Sequence, residues 1–395
     1  MKNIKKIVLA YSGGLDTSVI LKWLQDKYNA EIICYTADLG QVINKKAIYS
    51  NAKKLGVKKI IIEDLKEEFV NEYVFPMIRG NALYEGIYLL GTSIARPLIA
   101  KRQVEIAKKF SAQAVSHGAT GKGNDQVRFE LGYYYFSPKI NVIAPWREWK
   151  LNSRKDLIKY AKKNGIIIPK DKKGAPPFSI DDNLLHTSTE GKILEDPKKP
   201  APEYIFQRTL SPEKAPNKST FITIEYRNGN PIKLNNKKLS PAKLLMKLNE
   251  IAGKNGVGRA DLVENRFIGI KSRGIYETPG GSVLLFANRA IQSISLDKNT
   301  MHKNDEIMPR YAELIYNGYW FSKERLKIQK IIDKQRSKIK GKIKLKIYKG
   351  NISIVSRISS SPLYSLKRVS FEENKTFNKK NVENFIKKHC KLLKK

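Results

Sequence analysis

The chain has 395 residues, enough for two domains, and a hydrophobic content of 41% is enough for real cores. Lys+Arg 75 against Asp+Glu 37 gives a formal charge of +38, which ordinarily marks a partner of polyanions. Only two cysteines, Cys34 and Cys390, argue against a disulfide framework. With no apolar run of transmembrane length and no signal-peptide core, a cytoplasmic protein without membrane contact is expected.

The chain opens on Ile7-Val8-Leu9-Ala10, a short apolar run that reads as a buried strand. Val19-Ile20-Leu21-Lys22-Trp23-Leu24 has the spacing of a helix packed on a sheet. Between them, Tyr11-Ser12-Gly13-Gly14-Leu15-Asp16-Thr17-Ser18 turns a strand into a helix start. Such a turn offers unpaired N–H groups and the positive end of a helix dipole to an anion. Gly13 and Gly14 let the backbone approach a phosphate, and Ser12, Thr17 and Ser18 add hydroxyl donors. Neither G-x-x-x-x-G-K-[ST] nor G-x-G-x-x-G occurs here, so Walker A and dinucleotide sites are excluded. Asp16 suits the positioning of metal or nucleotide, or is an ordinary first-turn acid.

Strand-like runs at 4–10, 31–37, 59–63, 112–117 and 141–145 alternate with helical patterns at 17–27, 45–55, 66–77 and 93–110. This alternation predicts a parallel sheet with helices on both faces. Ligands on such sheets bind at the C-terminal strand ends, where Ser12, Ala37 and the loop after His117 fall. That loop, read as running from Ser116 to Glu130, mixes Gly118, Gly121 and Gly123 with polar side chains and can wrap a ligand with N–H groups. Thr120, Asn124 and Asp125 in it suit an amino acid's ammonium and carboxylate.

Ser153-Arg154-Lys155-Asp156 begins a helix with a capping-box-like pattern, which ends near Asn164-Gly165. The Pro/Gly-rich, charged stretch 169–177 then marks a domain boundary. Beyond it, 221–227 and 231–234 form an expected hairpin around Asn228-Gly229-Asn230, and 342–348 and 352–358 form another around Lys349-Gly350-Asn351. Helices are expected at 241–252, opened by Ser240-Pro241, at 308–316 and at 323–338. The tail from 381 reads as a basic helix. Phe385, Ile386, Leu392 and Leu393 can share one apolar stripe on it, which a neighbouring subunit or the chain's own body would cover. The expected fold is α/β. It has a parallel-sheet nucleotide-binding domain at 1–168, an α+β domain at 169–370 and a terminal arm at 371–395.

The charge is mostly Lys, accompanied by many Asn and Ile residues, a pattern of drift toward A/T-rich codons spread over every surface. Arg is scarcer and recurs in the motif-dense segments as Arg96, Arg102, Arg128, Arg147, Arg266 and Arg273. Its planar fork cannot be replaced by Lys where two-point contact is needed.

The loop from Ser12 to Ser18 resembles the pyrophosphate loop of enzymes that cleave ATP between the α- and β-phosphates. Ala10–Ser18, Tyr88-Leu89-Leu90-Gly91-Thr92-Ser93, the run from Ser116 to Glu130, Ala144-Pro145-Trp146-Arg147, Val263-Glu264-Asn265-Arg266-Phe267-Ile268-Gly269 and Lys271-Ser272-Arg273-Gly274-Ile275-Tyr276-Glu277-Thr278-Pro279 occur in that order. Together they resemble the argininosuccinate synthase family. The resemblance runs from the first strand to about Ser365 and implies an adenine-nucleotide α-hydrolase-like N-terminal fold. The implied reaction ligates citrulline and aspartate through a citrullyl-adenylate, releasing AMP and pyrophosphate. Implied ATP contacts are Ala10, Tyr11, Ser12, Gly13, Gly14, Leu15, Asp16, Thr17, Ser18, Ala37 and Gly118, with Ser12 and Asp16 as the catalytic pair. Mg²⁺ is implied to ride with ATP, with no metal site of the protein's own. Aspartate falls to Thr120, Asn124 and Asp125. Citrulline falls to Tyr88, Ser93, Asn124, Arg128, Ser179, Ser188, Glu264 and Tyr276. The resemblance also implies a homotetramer and no specific nucleic acid. The competing reading, favoured by charge alone, is a tRNA-modifying enzyme with the same loop.

Overall fold

The computed structural model describes residues 4–121, 123–151, 154–167, 178–370, 379–390 and 393. Five parallel strands, β1 (Lys6–Ala10), β2 (Glu31–Asp38), β3 (Lys59–Asp64), β4 (Ala114–Ser116) and β5 (Asn141–Ile143), form one sheet in the order β3-β2-β1-β4-β5. Its central strand has no exposed apolar residue, as a strand covered on both faces requires: Ile7 and Leu9 join one core cluster and Val8 the other. Helices α1 (Leu15–Tyr28), α2 (Lys45–Lys54), α3 (Gly91–Lys109), α4 (Asn124–Phe136) and α5 (Arg154–Lys163) connect or flank the strands. The single helix expected at 66–77 is instead three helical pieces, Lys66–Phe69, a π turn at Val70–Val74 and Phe75–Arg79.

The loop after His117 does not run to Glu130; a helix starts at Asn124. Its inward residues include Asn124, Gln126 and Arg128, so the apolar period that announces a helix is absent from its first turns.

The second half holds two antiparallel sheets. β6 (Ser179–Asp182), β7 (Thr187–Glu190), β11 (Arg259–Asn265) and β12 (Lys271–Glu277) are ordered β11-β12-β7-β6. β8 (Thr220–Arg227), β9 (Asn230–Leu234), β10 (Lys237–Lys238), β13 (Gly341–Tyr348) and β14 (Asn351–Ser359) are ordered β10-β9-β8-β13-β14. Both expected hairpins are present. Asn228 and Gly229 (φ 49° and 75°) and Lys349 and Gly350 (φ 43° and 82°) take the two left-handed positions that a two-residue turn demands. Helices α6 (Pro241–Lys254), α7 (Pro279–Ser295), α8 (Lys298–Tyr316) and α9 (Lys323–Asp333) pack around the sheets, and α10 (Lys379–Cys390) ends the described chain apart from Leu393.

Helix α7 escapes sequence reading because it opens Pro-Gly-Gly. Those glycines are there for packing: a Cβ on Gly281 would stand 2.7 Å from Leu185 Cδ1. The Ser153 cap and the 169–177 boundary lie outside the described residues. The main core nevertheless runs through both halves, joining Val8 and Leu98 to Leu185, Leu245 and Ile291.

Candidate active site

The sheet order reverses at β1. Strands β2 and β3 lie to one side and β4 and β5 to the other, so the loops leaving β1 and β4 open side by side. A cavity of about 490 Å³ occupies this crevice.

On one wall the β1 loop feeds α1. Gly14 is the N-cap and has no side-chain cap bond. The loop closes on itself through hydroxyls: Gly14 N–H donates to Ser12 Oγ and Ser12 N–H to Thr17 Oγ1, both at a long 3.3 Å, and the Ser12 and Thr17 hydroxyls lie 3.0 Å apart. An anion can take over such donors with little loss. Ala10, Tyr11, Ser12, Gly14, Leu15, Asp16 and Thr17 line the cavity, as do Ala37 and Gly118. Gln41 reaches back from beyond β2, its Nε2 donating to the Ala37 carbonyl at 2.7 Å. Gly13 and Ser18 are not on the wall. Gly13 (φ +79°) faces Ile48, and Ser18 is buried against the Tyr11 hydroxyl at 3.1 Å.

The opposite wall is one face of the four-stranded sheet. Strand alternation and the registers Asp181–Ser188, Ser179–Glu190, Tyr276–Ser188 and Glu264–Ser272 put Ser179, Asp181, Ser188, Glu190, Glu264 and Tyr276 on that face. All six line the cavity. Tyr88 stands over Tyr276 with ring centroids 4.5 Å apart. The Tyr276 hydroxyl donates to Glu264 at 3.1 Å. Burial pushes the Glu264 carboxyl up, against the pull of Arg128 and of that hydroxyl. Ser93 is fully buried behind the wall, and its Oγ has no hydrogen-bond partner among the described residues.

Between the walls, α4 presents Asn124, Asp125 and Arg128, preceded by Thr120. Asn124 Oδ1 accepts from Phe267 N–H at 3.0 Å, tying the helix start to the β11–β12 turn. Arg128 Nε donates to the Tyr316 carbonyl and Nη1 to Asp125 Oδ1, both at 2.9 Å, with the guanidinium 4.8 Å from the Tyr316 ring centroid. Arg96 Nε holds the other Asp125 oxygen at 2.8 Å. Burial opposes ionisation of Asp125, but the two guanidiniums outweigh it and hold the carboxyl below its ordinary range.

Sequence reading did not assign Thr36, Gln41, Thr92, Arg96, Asp181, Glu190 or Arg266 to the site, yet all line the cavity. Arg96 and Arg266 did carry a signal, as arginines in a lysine-rich chain. All six singled-out arginines meet carboxylates: Arg96 and Arg128 as above, Arg102 with Glu68 and Glu105, Arg147 with Glu130, Arg266 with Glu190 and Arg273 with Asp261. Only three of them reach the cavity; the other three hold the scaffold. Beneath Tyr88 and Tyr276 lies His186, fully buried, its Nε2 2.8 Å from the Thr92 hydroxyl.

Among the described residues no helix is long and apolar enough to cross a membrane. Comparison with known families matches residues 6–167 to the argininosuccinate synthase N-terminal HUP domain and residues 178–395 to the argininosuccinate synthase C-terminal domain. Among curated relatives, an argininosuccinate synthase of Pelagibacter ubique is 73% identical over the full length of both chains. One from Parvibaculum lavamentivorans is 58% identical over 98% of this chain and 94% of its own, and one from Campylobacter hominis is 59% identical over 98% and 96%. With both halves matched by the family's domains and the whole chain matched by relatives at this identity, the chain belongs to the argininosuccinate synthase family.

Proposed function

We propose that the cavity runs the ATP-dependent ligation of citrulline with aspartate in two steps. The citrulline ureido oxygen attacks the α-phosphorus of ATP, forming a citrullyl-adenylate and expelling pyrophosphate. The aspartate amine then attacks the ureido carbon, expelling AMP and losing a proton, to give argininosuccinate. The observation that carries this reading is the pairing of the self-closed loop at Ser12–Thr17 with the hydroxyl- and carboxylate-bearing sheet face across one cavity.

Ala10–Ser18, Ala37 and Gly118 hold ATP in this reading, with Ser12 and Asp16 at the phosphates. Gly13 and Ser18 act from behind the wall by shaping the loop. Mg²⁺ carried by ATP would supply charge neutralisation on the phosphates, and Asp16, which lines the cavity, would be the loop carboxylate to hold it. Tyr88, Asn124, Arg128, Ser179, Ser188, Glu264 and Tyr276 hold citrulline, with Ser93 supporting them. Thr120, Asn124 and Asp125 hold aspartate. The chemistry asks for positioning and charge stabilisation, with no covalent nucleophile. Asp125, kept ionised by two arginines, is a fixed anion for an ammonium rather than a proton acceptor.

Residues 1–168 form the nucleotide-binding domain and 169–370 the domain that completes the amino-acid sites. The tail 371–395 is an oligomerisation arm of a cytoplasmic homotetramer, supported by Phe385 and Ile386 standing 61% exposed and Leu393 84% exposed. The test is product analysis: citrulline plus aspartate with MgATP gives AMP and pyrophosphate, and tRNA gives neither. ADP and phosphate as products, or pyrophosphate release that needs tRNA, would overturn the reading.

A further inference from the structure

The charges on the cavity wall do not balance, and the imbalance points to one residue. Among the described lining residues five are acids, with Asp16, Asp125 and Asp181 among them, and three are cations, all arginine: Arg96, Arg128 and Arg266. Two amino-acid substrates bring three carboxylates into this acidic space. Each needs a cation or a set of aligned N–H donors, since a desolvated, unpaired carboxylate is costly.

Arg266 is already committed, 2.6 Å from Glu190 and 4.0 Å from Glu264. Arg128, assigned to citrulline above, spends Nε and Nη1 on the Tyr316 carbonyl and Asp125. The first-turn amides of α4 can serve one further carboxylate. The remaining cation is Arg96. It sits on α3, its side chain 17% exposed, and the cavity is what it faces. Nε and Nη2 bind Asp125 Oδ2 at 2.8 and 2.7 Å, and Nη2 also binds Asp181 Oδ1. Nη1 has no hydrogen-bond partner among the described residues. Asp181, 44% exposed against 18% for Asp125, is the more solvent-accessible of the two anions on this guanidinium.

We propose that Arg96 binds a carboxylate of the aspartate co-substrate through Nη1, in competition with Asp181, and so sets the enzyme's demand for a dicarboxylate. The inference rests on the ligation reading above, and its test separates the two. Asp125 takes the co-substrate's ammonium, and the arginine that fixes Asp125 takes an anionic end of the same molecule. Asp181 acts as a place-holder on the guanidinium when that end is absent.

Four measurements test this and the reading it rests on. Citrulline-dependent exchange of pyrophosphate into ATP by the wild-type enzyme needs no aspartate, so its absence would refute the ligation reading and not the role of Arg96. In Arg96→Gln, the aspartate KM should rise about 30- to 100-fold, as expected for loss of a charge-assisted contact, while the citrulline KM moves less than about fivefold. A purely structural role could also raise the aspartate KM, so competitive inhibition by succinate is compared with inhibition by succinamate, its monoamide. Wild type should prefer succinate by at least about tenfold, and Arg96→Gln should bind the two about equally. The second variant carries the opposite sign. Asp181→Asn should lower the aspartate KM by about two- to fivefold, and should no longer do so in the Arg96→Gln background. A preserved succinate preference in Arg96→Gln overturns the proposal. So does an aspartate KM that rises in Asp181→Asn, as a structural ion pair would require. If Arg96→Gln does not fold, the Asp181→Asn result decides alone.

Discussion

Gly13 and Gly14 are neighbours in the loop between β1 and α1, and the fold asks opposite things of them. Gly13 has φ +79°, and a Cβ there would lie 2.9 Å from Cγ1 of Ile48, which is itself only 4% exposed. An alanine at Gly13 costs roughly 1–2 kcal/mol for the left-handed backbone. It costs about 1–2 kcal/mol more for overpacking, offset by about 0.4–1 kcal/mol from a stiffer unfolded chain. Gly13→Ala should therefore lose about 2–3 kcal/mol of stability. Gly14 has φ −78°, and its Cβ would meet only Ser12 Oγ at 3.3 Å, in space that opens on the cavity. Gly14→Ala should keep its stability within about 0.5 kcal/mol while the methyl group intrudes on the approach of phosphate. Gly14→Val should abolish adenylate formation in a folded protein. Urea unfolding followed by circular dichroism reads the stabilities, and citrulline-dependent pyrophosphate–ATP exchange reads the site. A Gly14→Val variant with a near-normal ATP KM would refute the phosphate assignment. Equal stability losses at the two positions would refute the division of labour.

Four further outcomes are expected. Arg128→Lys should raise the citrulline KM by a factor worth roughly 1–3 kcal/mol, because an ammonium cannot serve the Tyr316 carbonyl, Asp125 and a substrate carboxylate together; an unchanged citrulline KM would remove Arg128 from that role. Glu277, 2% exposed, accepts the N–H groups of Gln207, Arg208 and Thr209 at 2.8–2.9 Å, so Glu277→Ala should cost about 3 kcal/mol in a urea titration, and a loss under about 1 kcal/mol would show that water replaces the carboxylate. Burial, then the positive field of Arg208, pushes His186 down to about 3 from 6.5. The unfolded chain thus takes up a proton below pH 6.5 that the folded chain refuses. His186 therefore contributes stability in full above pH 6.5 and loses it as pH falls toward 3, at up to about 1.4 kcal/mol per pH unit. His186→Asn should flatten the stability profile between pH 6 and 4.5, and an identical slope would contradict the burial argument. Deleting 381–395 should lower the oligomer mass measured by light scattering at micromolar concentration; a truncated chain that stays tetrameric would show the arm to be dispensable.

The strand–turn–helix at the head of the chain could be read because two unambiguous periods flank it. Ile7, Val8 and Leu9 are apolar on both faces, and Val19, Ile20, Leu21 and Leu24 are the buried stripe of α1. The same holds for the two hairpins, whose turns need residues that tolerate positive φ. Helix α7 is hidden by its Pro-Gly-Gly start, although its inner face then carries Val283, Leu284 and Ile291, whereas α4 is illegible because its inner face opens with Asn, Gln and Arg where a core helix carries Leu. The four-stranded sheet hides in the same way. Strand β7 reads Thr-Ser-Thr-Glu, and Thr187, Ser188 and Thr189 are all at least 95% buried without an apolar side chain among them.

Polar residues are buried where something polar must meet them, so hydrophobic patterning fails at the site and works on the scaffold around it. Composition supplies what pattern omits. In a chain where lysine is abundant, an arginine marks a place where a point charge does not suffice. Arg96, Arg128 and Arg266 stand at such places, each bridging groups from different elements. What no sequence pattern contains is the partner. Asp125 is three residues from Arg128, so that pair is local. Arg96 meets Asp181 across 85 residues, and only the closing of the two halves brings them together. The motifs that identify the family are therefore the local half of the site, and the contacts that tune its co-substrate demand are the half that exists only in the folded chain.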